Sequence, residues 1–477
     1  MNVLFIDGQA VSAASGETLP VYSPVTGEAY AEIARGDALD IDRAVRAARA
    51  ALAGPWGQLS ATERGRLLVR IGLAVLANID ELAAIEAQDT GKPLALARKD
   101  IEALARYFEF YGGAADKVHG DVIPYLPGYT VNVVREPCGV VGHIIPWNYP
   151  AQMLGRTLGP ALAMGNTSVV KPAEDACMTS LRVAQLAADA GLPAGVLNIV
   201  TGYGKEAGAA LAAHPGINLI TFTGSPAVGA AIQAAAAANY VKCVLELGGK
   251  CPQVVFADAD LDKAVPVIVG AIVQNAGQTC SAGSRVLIQR DIYDQVVERV
   301  AERFRQVRVG LPDTSPDCGP IITRAQFLRV NAFIDDCKAS GLTVLAEGEM
   351  AHDLPQAGYY VRPTFFGPVP RDHRLAHEEV FGPVLAALPF DDEDDAVALA
   401  NGTDYGLVAA VWTENGARQQ RMAKRLEGGQ VFINCYGAGG GVELPFGGIR
   451  KSGHGREKGF HALDEFSVTK TVVSHHL

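Results

Sequence analysis

The stretch QNAGQTCSAGSR, residues 274–285, holds the side chain best placed for covalent chemistry. Cys280 stands among Gly277, Gln278, Thr279, Ser281, Ala282 and Gly283, small and polar residues that suit a turn presenting a side chain more than a packed core. A thiol presented in that way can act as a nucleophile. Upstream, LELGGK (245–250) places Glu246 after the mostly apolar, strand-like run 241–245 and before the glycine pair Gly248 and Gly249. A strand ending in a carboxylate and two glycines aims one acid into a cleft. Taken singly, a cysteine is more often a small buried hydrophobe and a glutamate a solvated surface charge. The surrounding elements decide between these readings.

From Val140 the pattern becomes strand, loop and helix several times over. Apolar runs at 140–145, 167–170, 196–200 and 219–222 end at Pro146, Trp147 and Asn148, at Lys171 and Pro172, at Thr201 and Gly202, and at Thr223, Gly224 and Ser225. Helical patterns from Ala151 and at 179–190 separate them. Such alternation predicts a parallel sheet covered on both faces, with ligands bound at the carboxyl ends of the strands, where these polar and glycine residues fall. A second series follows Cys251, with strands at 253–256, 285–288, 384–388 and 430–434 and helices at 261–274 and 293–307. Earlier, Asp40 is expected to cap a helix burying Ile41, Ala44, Val45, Ala48 and Ala51, and Thr62 to open one burying Leu67, Leu68, Ile71, Val75 and Leu76. Two outlying β-rich runs, 129–135 and 466–473, could pair with each other.

With 477 residues the chain exceeds one ordinary core, so two or three domains are expected. A formal net charge of −11 and a pI near 5.4 argue against nucleic-acid or anionic-membrane surfaces, which need a basic footprint. Small molecules are the expected partners. The N-terminus lacks a secretory pattern and no run reaches about 18 apolar residues, so a cytoplasmic location is expected. The eight cysteines lack CxxC or Cys/His ligand spacing, so neither a metal site nor a disulfide framework is indicated.

IIPWNYP (144–150), VVKPAE (169–174), FTGSPAVG (222–229), LELGGK, GQTCSAGSR, EEVFGPV (378–384) and PFGGIRKSGHGRE (445–457) occur together in order. With these motifs the chain resembles the NAD(P)-dependent aldehyde dehydrogenases of the non-acylating kind, from near its first residue to its last. The resemblance implies Cys280 as nucleophile, Asn148 with the Cys280 backbone N–H as donors to the oxygen of the adduct, and Glu246 as the base that activates water against the thioester. It also implies NAD as cofactor. Lys171 and Glu174 would hold the adenine-side ribose, a carboxylate there accepting from a 2′-hydroxyl and repelling a 2′-phosphate. Gly224, Ser225 and Gly229 would lie at the pyrophosphate, Glu379 on the nicotinamide-side ribose and Phe381 beside the ring. Ile145, Pro146, Trp147, Gly204 and Leu247 would be further cofactor contacts.

By the same resemblance, Tyr149, Met153, Arg156 and Phe446 would line the substrate funnel. Arg156 matches an arginine that succinate-semialdehyde dehydrogenases turn toward a substrate carboxylate; a structural ion pair is its other reading. Gln274 stands where those enzymes have a second arginine, Ala282 where they often have a redox-partner cysteine. Phe446 replaces the tryptophan of betaine-aldehyde dehydrogenases. An aromatic or carboxylated aldehyde is therefore expected, with betaine, amino or broad aliphatic aldehydes as alternatives. Two other classes remain: a thiol hydrolase pairing Cys280 with His143 or His454, and a non-catalytic structural homologue. The implied architecture is α/β: a Rossmann-type NAD-binding domain (1–118 and 138–248), an α/β catalytic domain (249–446) and a small β oligomerisation arm (119–137 and 447–477) that would build a homodimer or homotetramer.

Overall fold

The computed structural model describes residues 3–437 and 441–476. Its larger sheet has eight strands in the order Gln9–Val11, Leu4–Ile6, Leu197–Ile199, Thr167–Pro172, Val140–Ile145, Leu219–Thr223, Lys242–Glu246 and Gly453–His454. The five central strands run parallel, and the flanking pairings are antiparallel. Val140–Ile145 comes first in the chain among those five. The next two strands build outward on one side and the following two on the other. Strand order therefore reverses between Val140–Ile145 and Leu219–Thr223, and crevices for ligands open at such reversals. Residues 146–148 and 224–225 leave the sheet there.

A second, seven-stranded sheet runs in the order Val344–Glu347, Thr364–Phe366, Val384–Phe390, Arg285–Gln289, Pro252–Val255, Val408–Trp412 and Gln430–Ile433, parallel except for its first strand. Strands buried on both faces explain the unbroken apolar runs of the sequence. The two outlying β-rich runs do pair: Ser467–His475 lies antiparallel to Tyr129–Pro137 from Ser467↔Pro137 to His475↔Tyr129, with the short exposed strand Asp121–Ile123 on the outer edge.

Two helix starts differ from expectation. Asp37, not Asp40, caps Ala38–Ala53; Asp40 is the third helical residue, closes a capping box with Asp37 and accepts from Ala14 N at 3.0 Å. Ser60, not Thr62, caps Ala61–Ala77, again with a box partner, Glu63. In the first, the carboxylate three residues into the helix competes in the sequence for the role of cap; in the second, the hydroxyl of Thr62, two residues in, does so. Among the described residues, no helix is long and apolar enough to cross a membrane.

Candidate active site

Cys280 follows an unusual turn. The helix Leu261–Val273 ends at Gln274, and Asn275, Ala276 and Gly277 then all take left-handed backbone angles, with φ of 50°, 55° and 71°. Left-handed geometry costs roughly 1–2 kcal/mol at a non-glycine residue, so two in succession need support. Asn275 Nδ2 supplies it, donating to Asn148 O at 3.0 Å and Gln278 O at 3.4 Å. Gln278 is buried: its Nε2 donates to Asn275 O at 3.0 Å and its Oε1 accepts from Ile322 N at 2.9 Å. At Gly277 a Cβ would strike Gly382 O, so only glycine fits. The thiol is half-buried rather than freely exposed. Burial pushes its pKa up to about 12, with Arg156 pulling the other way.

Two cavities meet at this cysteine. One, of about 460 Å³, is lined by Pro146, Trp147, Asn148, Thr223, Gly224, Ser225, Leu247, Gly248, Cys280, Gln326, Arg329, Glu379, Phe381 and Tyr405. The other, of about 240 Å³, includes Tyr149, Met153, Arg156 and Phe446, with Lys92, Asp100, Tyr107, Gln152, Gln274, Thr279 and Lys458. Among the described residues, Cys280 alone belongs to both linings.

Groups able to hold a dinucleotide follow the carboxyl edge of the larger sheet. Ser225 caps the helix Pro226–Ala237, accepting from Val228 N at 3.4 Å, so the positive end of that helix faces the crevice. At Gly229 a Cβ would lie 2.6 Å from Leu247 Cδ2, so the close helix packing depends on the missing side chain. Lys171 Nζ meets Glu174 Oε2 at 2.6 Å, and Glu174 Oε1 accepts from Gly204 N at 3.5 Å. These three lie outside the 460 Å³ cavity, beside it on the same edge, as do Gly229 and the buried strand-end Ile145. Glu379 accepts from Gly249 N at 2.9 Å and is pushed up to about 7 by burial. Phe381, left-handed at φ 52°, meets the Trp147 ring edge-on at 5.5 Å.

Asn148 is buried, donates through Nδ2 to Gln278 O at 2.9 Å, and has an Oδ1 without a hydrogen bond among the described residues. Glu246 ends its strand fully buried, and burial, reinforced by Glu457 and opposed by Arg156, pushes it up to about 8. Arg156 lines the funnel, yet its guanidinium is already engaged: Nε pairs with Glu457, Nη2 lies 3.6 Å from Glu246 Oε2, and its Cζ sits 4.4 Å over the Phe446 ring. It thus has the structural ion pair weighed from the sequence. Tyr149 bonds Thr279 Oγ1 at 2.9 Å and receives Gln274 Nε2 at 3.0 Å.

Neither histidine approaches the thiol. His143 is buried between Thr221 and Ser168 and pushed down to about 3 by burial, and His454 meets Gln233. Lys92, Asn275, Gln278, Glu457 and Lys458 join the site without a sequence pattern that marks them. Glu457 ends the motif 445–457; Lys458, left-handed at φ 63° and buried in the funnel wall, follows it directly.

A parallel sheet with a strand-order reversal, a thiol at the crevice and a buried acid are features of an α/β enzyme that binds its ligand at the carboxyl ends of the strands. The aldehyde dehydrogenase family model matches residues 11–472, and the chain belongs to that family, whose members act on aldehydes. It is 42% identical to aldehyde dehydrogenase family 2 member C4 of Arabidopsis thaliana, over 98% of this chain and 94% of the relative. The crystal structure of a candidate aldehyde dehydrogenase from Burkholderia cenocepacia is 62% identical, with a TM-score of 0.99 and 100% of both chains covered. An indole-3-acetaldehyde dehydrogenase solved with NAD+ is 40% identical, with a TM-score of 0.97 over 100% of this chain and 97% of that one.

Proposed function

We propose that this chain oxidises an aldehyde to its carboxylic acid with NAD, through a thiohemiacetal and then a thioester on Cys280. One observation carries the reading: among the described residues, Cys280 is shared by a groove edged with dinucleotide-compatible groups and a funnel that sets the aromatic rings of Tyr107, Tyr149 and Phe446 among polar and charged side chains. NAD bound in the groove supplies the two-electron acceptor. Lys171 and Glu174 would hold the adenine-side ribose, the N-terminus of Pro226–Ala237 the pyrophosphate and Glu379 the second ribose. The Cys280 sulfur, as thiolate, bonds to the carbonyl carbon as the C=O π pair moves to oxygen, and the negative oxygen receives N–H donors from Asn148 Nδ2 and the Cys280 backbone. As that pair re-forms the C=O bond, the carbon's hydrogen leaves with its electron pair, which would pass to the two-electron acceptor, and the thioester results. Glu246, ionised, takes a proton from water as that water attacks the thioester, releasing the acid and the thiol.

The substrate reading is an aromatic aldehyde, because Tyr149, Tyr107, Phe446 and Met153 are large apolar side chains of the funnel wall, while the charge of Arg156 is already matched by Glu457. A carboxylated aldehyde is the second reading, supported by Lys458 beside Arg156 in the same wall. The larger sheet with its helices would be the NAD-binding part, the seven-stranded sheet the catalytic part, and the three-stranded sheet the arm through which copies associate. The test is NAD reduction across aromatic, semialdehyde, aliphatic and amino-aldehyde substrates, with NADP in parallel. Turnover by Cys280→Ser at the parent rate, or none by the parent on any aldehyde, would defeat the proposal.

A further inference from the structure

Asn148 lines the groove and Tyr149 the funnel, so one peptide carries a wall of each cavity. What fixes this peptide is a buried cation. The Asn148 carbonyl accepts from Lys92 Nζ at 3.0 Å and from Asn275 Nδ2 at 3.0 Å. The Lys92 ammonium lies 2.5 Å from Asp100 Oδ2, 3.3 Å from Glu86 Oε1 and 4.5 Å from the centre of the Tyr149 ring. Its side chain has no exposed surface. Each carboxylate is tethered in turn: Asp100 Oδ1 accepts from Gln152 Nε2 at 2.6 Å, and Glu86 accepts from Thr179 Oγ1 at 2.9 Å and from Ala151 N at 3.4 Å. Burial alone would discharge the lysine, but Asp100 and Glu86 outweigh it and raise its pKa, so it stays charged at neutral pH.

Holding the four helices that carry Glu86, Asp100, Gln152 and Thr179 together does not require such a cluster, since well-packed apolar residues often serve as well or better than buried ion pairs. An apolar side chain would, however, give the Asn148 carbonyl nothing. The cluster sets the height of that peptide, and Asn275 connects the same carbonyl to the turn that carries Cys280. We propose that Lys92 is a positioning residue: anchored by Asp100 and Glu86, it fixes the Asn148 peptide and thereby aims the Asn148 carboxamide at the reacting oxygen. This rests on the reading of Asn148 as an oxyanion donor.

A double-mutant cycle separates the two. Aldehyde oxidation at saturating NAD is measured for the parent, Lys92→Met, Asn148→Ala and the double variant, with a melting temperature for each. Asn148→Ala is expected to lower kcat by about 100–1000-fold, as for loss of one oxyanion donor. Lys92→Met is expected to lower kcat by about 10–100-fold, the scale of a misplaced catalytic group, with the KM for NAD little changed. In the Asn148→Ala background it should cost less than about twofold more. If Asn148→Ala leaves kcat intact, the donor reading falls. If Asn148→Ala is impaired while Lys92→Met keeps the parent kcat, or the two losses multiply, the positioning role is overturned. Asp100→Asn keeps the lysine and its Glu86 partner and serves in the same cycle should Lys92→Met not fold: a severalfold loss that vanishes in the Asn148→Ala background supports the proposal, and an equal loss in both backgrounds refutes it.

Discussion

Arg156 Nη2 lies 3.6 Å from Glu246 Oε2, so the acid assigned to water activation faces a buried guanidinium that is also paired with Glu457. This arrangement makes Arg156 part of the acid's environment as much as of the funnel. Arg156→Met should leave two buried carboxylates without their cation and destabilise the chain by about 3–5 kcal/mol. It should also move the alkaline-rising limb of the kcat profile to higher pH, because Glu246 loses the group that lowers its pKa. Urea unfolding and a pH–rate series measure the two effects.

Glu246→Gln should separate the two halves of the reaction. In the proposed reaction, acylation needs Cys280 and the groove, whereas release needs the carboxylate. The expected record is a burst of about one equivalent of NADH per site followed by a steady rate reduced by roughly 100- to 10,000-fold. Rapid-mixing absorbance measures the burst, and intact mass should detect the acylated chain.

The same carboxyl gives a stability signature. Its folded pKa, about 8, is raised above its ordinary value of 4.5, so the stability it contributes is complete below the unfolded value and is lost as pH rises through 8. Glu246→Gln should therefore melt progressively higher than the parent as pH goes from 6 to 9, with the gap closing toward pH 5. A gap that widens toward acid would contradict the assigned direction.

Glu174 pairs with Lys171 and reaches Gly204 N, beside the groove. Glu174→Gln removes the charge that a 2′-phosphate would meet. The ratio of kcat/KM for NAD over NADP should fall severalfold or more, mainly through a gain with NADP. An unchanged ratio would place the ribose elsewhere.

Gly277→Ala puts a methyl group against Gly382 O at a left-handed position, whereas Ala276→Gly relieves a residue already held there. The first should lower the melting temperature and nearly abolish thiol-dependent turnover. The second should leave stability within about 1 kcal/mol of the parent. Thermal unfolding and alkylation of Cys280 distinguish them.

Much of the sheet was legible because each buried parallel strand is an apolar run that stops at a polar or glycine residue, as Val140–Ile145 stops at Pro146 and Leu219–Thr223 at Gly224. Helix starts were less so, since Asp37 and Asp40, or Ser60 and Thr62, are both good cap residues and only the hydrogen bonds assign the cap. Lys92 could not be found by pattern: a lysine between Gly91 and Pro93 reads as a solvated loop cation, and its meaning lies in carboxylates and a carbonyl brought to it by folding. The partner of Arg156 was hidden for the same reason, Glu457 being remote in the chain. Left-handed Asn275 and Ala276 carry no strong local signal, because the contacts that hold them come from Asn148 and Gln278.

Because, among the described residues, the two cavity linings have only Cys280 in common, a molecule occupying one need not traverse the other. Carboxylic acid can then depart while the dinucleotide stays seated, so the order in which products leave is governed by their separate dissociation rates and not by a shared corridor. Product-inhibition patterns with the acid and with NADH read that independence directly, and a strictly competitive relation between the acid and NAD would argue for a common passage.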